Sequence, residues 1–286
     1  MKSLGESLNG PLCVSSITSG GRRAVLLTED GVRIEAEHRP SDGGISGSWS
    51  GSGSATGTGC AIVVAHGFTG ALERPAIRRA AEVFAGFAGV ITFSFRGHGG
   101  SGGRSTVGDL EVLDLDAAVG WARRLGYRRV VTVGFSMGGS VVLRHAARPG
   151  TAAGGRAGAQ VDAVASVSAP ARWYYRGTAP MRRLHWVVTR PAGRLVSRYG
   201  LGTRIHPHEW DPVPLSPVES AALIAPTPLL IVHGDQDAYF PLDHPRSLAG
   251  AAGAGAELWI EPGFGHAENA ADDALLRRVG GWLATV

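Results

Sequence analysis

The chemistry this 286-residue chain could perform turns first on its serines and histidines. A serine hydroxyl becomes a useful nucleophile only when a base lies within hydrogen-bond reach and a third group orients that base. Residues 131–142, VTVGFSMGGSVV, hold Ser136 in the pattern Gly-x-Ser-x-Gly. Spacing alone decides little, because in a chain with 43 glycines a chance match is about an even bet. A second match stands at Ser101, within RGHGGSGGRS. The residues that follow separate the two. After Ser136, MGGSVVLRHAA can begin a helix at once. Such a sharp strand-turn-helix lifts the hydroxyl above a sheet and aims the amides of a helix N-terminus at the same point. Ser101 sits among glycines and runs on into RSTVG, which reads as loop.

The base and the acid should lie at the carboxyl ends of later strands, where open α/β sheets bind ligands. PLLIVHGDQD ends one run with Asp235 and Asp237, and ELWIEPGFGH ends the next with His266. Asp235 directly follows Gly234 and reads as a tight-turn residue, so Asp237 is preferred as the acid. The order Ser, Asp, His suits a hydrolase with its nucleophile on such an elbow. His66 and His233, each in a His-Gly strand end, read as loop braces, and His98 is too local to Ser101 to leave room for an orienting group. His206, His208 and Glu209 in IHPHEW have a loose metal-ligand look but read as a surface cluster, so no metal site is expected. An oxyanion needs donors facing the carbonyl oxygen. The backbone N–H of Met137 supplies one, and that of Phe68, after VVAHG and beside Gly67 and Gly70, supplies the other.

These residues need elements to position them. RRAVLLTE and VRIEAEHR, joined at EDG, predict a hairpin over 22–38. From residue 60 onward, CAIVVAHG, VITFSFRG, RRVVTVGF, VDAVASVS, PLLIVHGD and AELWIEPG are continuous apolar runs, the mark of parallel strands covered on both faces. Helical patterns lie between them. In GDLEVLDLDAAVGWARRLG the repeat Leu110, Leu113, Ala117, Trp121 predicts one face, with Asp109 as cap and Gly126 as stop. The last helix should place Leu275, Val279, Trp282 and Leu283 together behind an Asn269 cap. The expected architecture is a doubly wound α/β sheet. The Gly/Ser-rich stretch 41–59 reads as a flexible loop. Residues 170–220, rich in Arg, Trp, Tyr and Pro, break the rhythm; MRRLHWVVTRPAGRLV predicts one or two short helices split at Pro191, an excursion of the kind that forms a lid.

Composition narrows the function classes. No run approaches the roughly 18 apolar residues of a membrane span, and the first residues lack a continuous apolar segment, so a soluble, cytoplasmic protein without stable membrane insertion is expected. Cys13 and Cys60 are too few and too distant for a disulfide framework or zinc site. The net charge of +4 is carried by scattered arginines, which gives no nucleic-acid footprint.

HGFTG, FRGHGGSGG, GFSMGG, HGDQDAYFP and GFGH, in that order, resemble the α/β-hydrolase fold superfamily, specifically its esterase, lipase and serine-aminopeptidase-like members. The resemblance spans about residues 22–286 outside 41–59 and the lid. Such proteins commonly carry an Asp two positions before the Arg of the glycine loop; Ser94 stands there instead, a departure that touches loop bracing. The resemblance implies an α/β-hydrolase core in two parts, 1–169 and 221–286, around a lid at 170–220 covering an acyl pocket. It further implies a cofactor-free serine hydrolase acting on the ester of a small or medium acyl substrate through Ser136, His266 and Asp237, with Phe68 and Met137 as oxyanion donors. Acyl transfer, thioester or amide cleavage and perhydrolysis could use the same groups, and a non-catalytic binding protein could use the same fold.

Overall fold

The computed structural model describes residues 15–18, 21–42, 59–148 and 159–286. Most of the 41–59 stretch, and Cys13, lie outside them. The strands are β1 Ser15–Thr18, β2 Gly21–Leu27, β3 Arg33–Arg39, β4 Cys60–Ala65, β5 Gly89–Phe93, β6 Arg129–Phe135, β7 Ala163–Val167, β8 Leu229–Gly234 and β9 Ala256–Glu261. The α-helices are α1 Pro75–Ala85, α2 Glu111–Arg124, α3 Met137–Ala147, α4 Ala179–Thr189, α5 Pro191–Gly200, α6 Pro217–Ala221, α7 Asp243–Ala252, α8 Ala267–Ala270 and α9 Asp273–Thr285.

Among the described residues one sheet of nine strands runs in the order β1-β2-β3-β5-β4-β6-β7-β8-β9. The first three strands and the β3–β5 pair are antiparallel, and every pair from β5 to β9 is parallel. The expected hairpin forms, with β2 and β3 in register from Arg22–His38 to Leu27–Arg33. The runs VVTV and LLIV are buried on both faces because helices cover both. One core, with α2, α3 and α7, packs Phe93, Leu115, Val141 and Ile231; the other, with α1 and α9, packs Ile62, Phe84, Val133 and Leu276. β9 is the exception to continuous burial: it closes the sheet as an edge strand and most of its residues stay half-exposed.

Two helix starts differ from expectation. α2 begins after Leu110 without a side-chain cap, and its buried face is Val112, Leu115, Ala118, Val119 and Trp121, while Leu110 is exposed. Asp109 turns to Arg144, and the amides ahead of α2 go to buried Glu111, whose carboxylate accepts from the N–H groups of Thr106, Val107 and Gly108. One buried carboxylate thus serves several loop amides, while the first-turn amides of Val112 and Leu113 bond back to the carbonyls of Asp109 and Leu110. Asn269 falls in α8, and Asp272 caps α9 by accepting from the Leu275 amide at 2.8 Å. Between β7 and β8 the chain forms α4, α5 and α6, with Pro191 at the first turn of α5 where its missing N–H costs nothing. Among the described residues no helix is long and apolar enough to cross a membrane.

Candidate active site

Ser136 sits between β6 and α3 with φ 51° and ψ −112°, a left-handed region that costs a non-glycine residue roughly 1–3 kcal/mol. The surroundings hold it there. Its amide donates to the Val167 carbonyl at 2.8 Å, and its carbonyl accepts from Ser140 at 3.1 Å. The flanking glycines have a steric cause: a Cβ on Gly134 would collide with the Gly138 carbonyl, and one on Gly138 with the carbonyls of Ala65 and His66. The pattern Gly-x-Ser-x-Gly is thus what lets α3 start directly against the ends of β4 and β6.

The hydroxyl of Ser136 lies 2.9 Å from Nε2 of His266, and Nδ1 of His266 lies 2.8 Å from Oδ2 of Asp237. Three residues from three strand ends therefore form one hydrogen-bonded chain. Asp237 is fully shielded, and its other oxygen accepts from the amides of Tyr239 and Phe240 at 2.8 and 3.1 Å. Burial pushes this carboxyl upward, but the hydrogen bond and charge of His266, the Phe240 amide and His233 outweigh it, and the net shift is downward. Asp237 stays a carboxylate and fixes the tautomer with the proton on Nδ1, leaving Nε2 to accept from the serine. The Tyr239 ring stacks on His266 at 4.2 Å between centroids, limiting the swing of the imidazole.

Asp235 does what a turn residue does, accepting the Gly263 amide at 2.7 Å in the loop that leads to His266. The remaining histidines brace loops. His66 contacts the Gly67 carbonyl through Nδ1 at 2.7 Å and accepts the Phe95 amide at Nε2, 3.0 Å away. Burial and neighbouring His98 hold its pKa well down, so it is neutral with its proton on Nδ1. His98 accepts the Thr69 amide, and His233 reaches the Phe240 carbonyl at 2.8 Å. Ser101 is buried, and its hydroxyl is engaged by backbone, donating to the Ser94 carbonyl and accepting the Glu35 amide. Ser94 itself donates to Glu35 Oε1 at 2.6 Å, and that same oxygen accepts the Gly100 amide. A carboxylate reached across from β3 thus braces the glycine loop at the position of Ser94.

A tight turn, closed from the Gly70 amide to the Gly67 carbonyl, presents Phe68, while Met137 opens α3. Among the described residues neither the Phe68 nor the Met137 N–H donates to a protein acceptor. Two supports here carry no signal in the sequence. Glu268, buried at 6% exposure, accepts the Gly67 amide at 2.9 Å, and the Ser168 hydroxyl accepts the Ala267 amide at 3.1 Å. Burial pushes the Glu268 carboxyl up, against the pull of its own amide, the Gly67 amide and His266.

A cavity of about 530 Å³ opens beside Ser136 and Met137. Phe68, Trp173, Tyr175, Met181, Leu184 and Trp210 give it an apolar, aromatic wall. His206, His208 and Glu209 border it as well, and His208 and Glu209 are exposed, in keeping with the expected surface cluster; among the described residues no group of His, Cys, Asp and Glu is arranged to hold a metal ion.

Solved structures share this architecture. An esterase from Pyrococcus furiosus superposes with a TM-score of 0.67 at 21% identity, covering 99% of this chain and 98% of its own. A serine hydrolase without a lid from Xanthomonas campestris reaches 0.57 at 17%, covering 96% and 94%. Est1E from Butyrivibrio proteoclasticus, solved with ferulic acid, reaches 0.55 at 19%, covering 91% and 96%. A family model described as "Alpha/beta hydrolase family" matches residues 62–278, from within β4 into the first half of α9 and across every element that carries the Ser136 site. The chain belongs to the alpha/beta hydrolase family.

Proposed function

We propose that the protein hydrolyses carboxylic esters of small or medium acyl groups through an acyl-enzyme. The observation that carries this reading is the unbroken chain from Ser136 Oγ through His266 to Asp237, at 2.9 and 2.8 Å. Ser136 Oγ attacks the acyl carbonyl carbon as its proton passes to His266 Nε2, and Asp237 stabilises the imidazolium. Charge developing on the carbonyl oxygen is received by the N–H groups of Phe68 and Met137, which have no competing protein acceptor. His266 then returns the proton to the departing alkoxide. Water, deprotonated by the same Nε2, cleaves the Ser136 ester and restores the free hydroxyl. No step calls for a metal or organic cofactor.

The acyl group is assigned to the aromatic cavity, with the 170–220 segment as its lid: α4 contributes Met181, Leu184 and Val188 to the wall, and Trp173 and Trp210 meet edge to face at 5.0 Å. A ferulate-binding neighbour gives precedent for an aromatic acyl group in this fold. The test is hydrolysis of short p-nitrophenyl esters together with labelling by a fluorophosphonate. Ser136→Ala should lower kcat on the order of 10⁶-fold and abolish labelling without changing the melting temperature. Retained turnover in that variant would remove Ser136 from the mechanism, and an unlabelled wild type would favour a binding protein.

A further inference from the structure

Helix α5 faces the wrong way for a helix that packs by its apolar side. Gly193 and Ser197, small residues, are buried, and Gly193 lies against the backbone of Trp186 and Val187. Leu195, Val196 and Tyr199 are 57%, 49% and 76% exposed. At 3.6 residues per turn these three fall within about 100° of arc, on the side away from the buried pair. Helix α4 divides the same way: Leu184 and Val188 line the cavity, while Arg182, Arg183 and Trp186 face outward. From Ala179 to Leu201 the chain has five arginines and no Asp or Glu. Among the described residues none of the five is paired with a carboxylate.

We propose that this outer face of α4 and α5 is a docking surface for an anionic lipid bilayer. Exposed aliphatic and aromatic side chains ringed by arginine are the composition of a helix that lies in a membrane interface. Trp186 and Tyr199 suit the headgroup level, where an amphipathic ring is apolar on one side and wet on the other. Charge complementarity selects the occupant. A second copy of the chain docking through a two-fold axis would set this arginine-rich patch against itself. An acidic protein would supply countercharge, but lipid supplies both countercharge and hydrocarbon for Leu195 and Val196. Docked in this way, the roof of the cavity would lie on the bilayer.

The proposal concerns the outer surface and is independent of the ester chemistry, so it is tested in the full-length Ser136→Ala background, where no lipid can be turned over. The experiment is flotation with vesicles of phosphatidylglycerol and phosphatidylcholine, against phosphatidylcholine alone. Binding to the anionic vesicles should weaken with added salt and be lost in Leu195→Glu/Tyr199→Glu. It should fall about fivefold per arginine in Arg183→Gln/Arg190→Gln/Arg198→Gln. With Ser136 restored, turnover of a soluble short-chain ester should be unchanged in both, which shows that they fold. Absence of binding to anionic vesicles, or equal binding by the variants, would overturn the proposal. So would a dimer by light scattering that Leu195→Glu dissolves, or retention on a soluble polyanion with no vesicle binding.

Discussion

The rim of the sheet and the segment above it enclose one cavity by opposite means. At the rim, the buried carboxylates are all engaged: Glu111 takes backbone amides, Glu268 takes Gly67, and Asp237 takes two amides and an imidazole. In the 170–220 segment most charges are exposed; parts of it are hydrogen-bonded to the core, as Arg204 is to Gly97, His206 to Ser105 and Trp210 to Thr106, whereas α4 and α5 pack mainly on each other. Buried polar networks define position sharply because a displaced group loses its only partner. A pair of helices held mainly by each other can shift without that cost. The rim should therefore govern whether an ester is cleaved, and the roof which ester.

The sharpest way to test that division is to change the rim without changing its shape. Asp237→Asn keeps the volume and the amide contacts but offers His266 Nδ1 a donor or a neutral acceptor, so the imidazole loses its fixed tautomer. A loss in kcat on the order of 10⁴ is expected, with KM nearly unchanged, in steady-state kinetics on one ester. A mainly KM effect would place Asp237 outside the proton relay.

Glu268 gives the next largest effect and sharpens the comparison, since it sits at the rim without touching the relay. Glu268→Gln retains an oxygen for the Gly67 amide and should keep most activity. Glu268→Leu strands that amide and frees the turn that aims Phe68, which should lower kcat about 10–100-fold. If the two variants behave alike, the hydrogen bond to Gly67 is not what matters.

Nothing local marks Glu268, and it shows where sequence reasoning stops. It meets Gly67 across 201 positions of chain, and a buried carboxylate is spelled like an exposed one. Ser168 and Tyr239 were invisible for the same reason. Ser136, Asp237 and His266 were legible because each follows an apolar strand whose end is marked by glycine, and because parallel strands deliver their carboxyl ends to one edge. The helix starts show the limit on a smaller scale. Asp109 and Asn269 satisfy local capping rules, yet Arg144 claims the first, and the short α8 ahead of Asp272 displaces the second. The predicted face of α2 lies at the edge of the buried one: Trp121 is buried and Leu113 and Ala117 pack half-buried on the core, but Leu110 is exposed and the centre of the contact is the neighbouring stripe of Val112, Leu115 and Val119. The bracing carboxylate of the glycine loop came from β3, which no spacing rule around Ser94 could indicate.

Acid should loosen the joint between rim and roof. His244 on α7 is fully buried and accepts the Ala171 amide, at the entry to the 170–220 segment, at 2.9 Å. Burial, with Arg172 and His233 nearby, lowers its pKa to about 4, against the opposing pull of Asp243 and Asp237. Between the unfolded value near 6.5 and pH 4, the unfolded chain binds the proton that the folded one refuses. Stability is therefore intact above about pH 6.5 and falls as pH drops toward 4, by on the order of 2 kcal/mol for this residue. Asp237 has the opposite sense, its downward shift contributing stability that is lost only as the pH falls below the ordinary carboxylate range. Urea midpoints at pH 7 and pH 5 should differ in the wild type and differ less in His244→Gln. Equal pH sensitivity of the two proteins would assign the acid loss elsewhere.

The smallest effect belongs to the roof. Leu184 lines the cavity from α4, and Leu184→Trp would fill part of its 530 Å³ without touching the relay or the oxyanion donors. Because α4 is tied down weakly, the helix can move outward to accept the larger ring, and the fold should lose little stability. A methylene more or less in an apolar pocket is worth about 1–3 kcal/mol of discrimination. The variant should then hydrolyse acetyl esters at close to the wild-type rate while kcat/KM for octanoyl esters falls about tenfold. A uniform drop across chain lengths would mean that the roof also positions the rim, and the division between cleavage and choice would fail. An unchanged profile would mean that the acyl chain lies along another wall of the cavity, beneath Trp173 and Trp210.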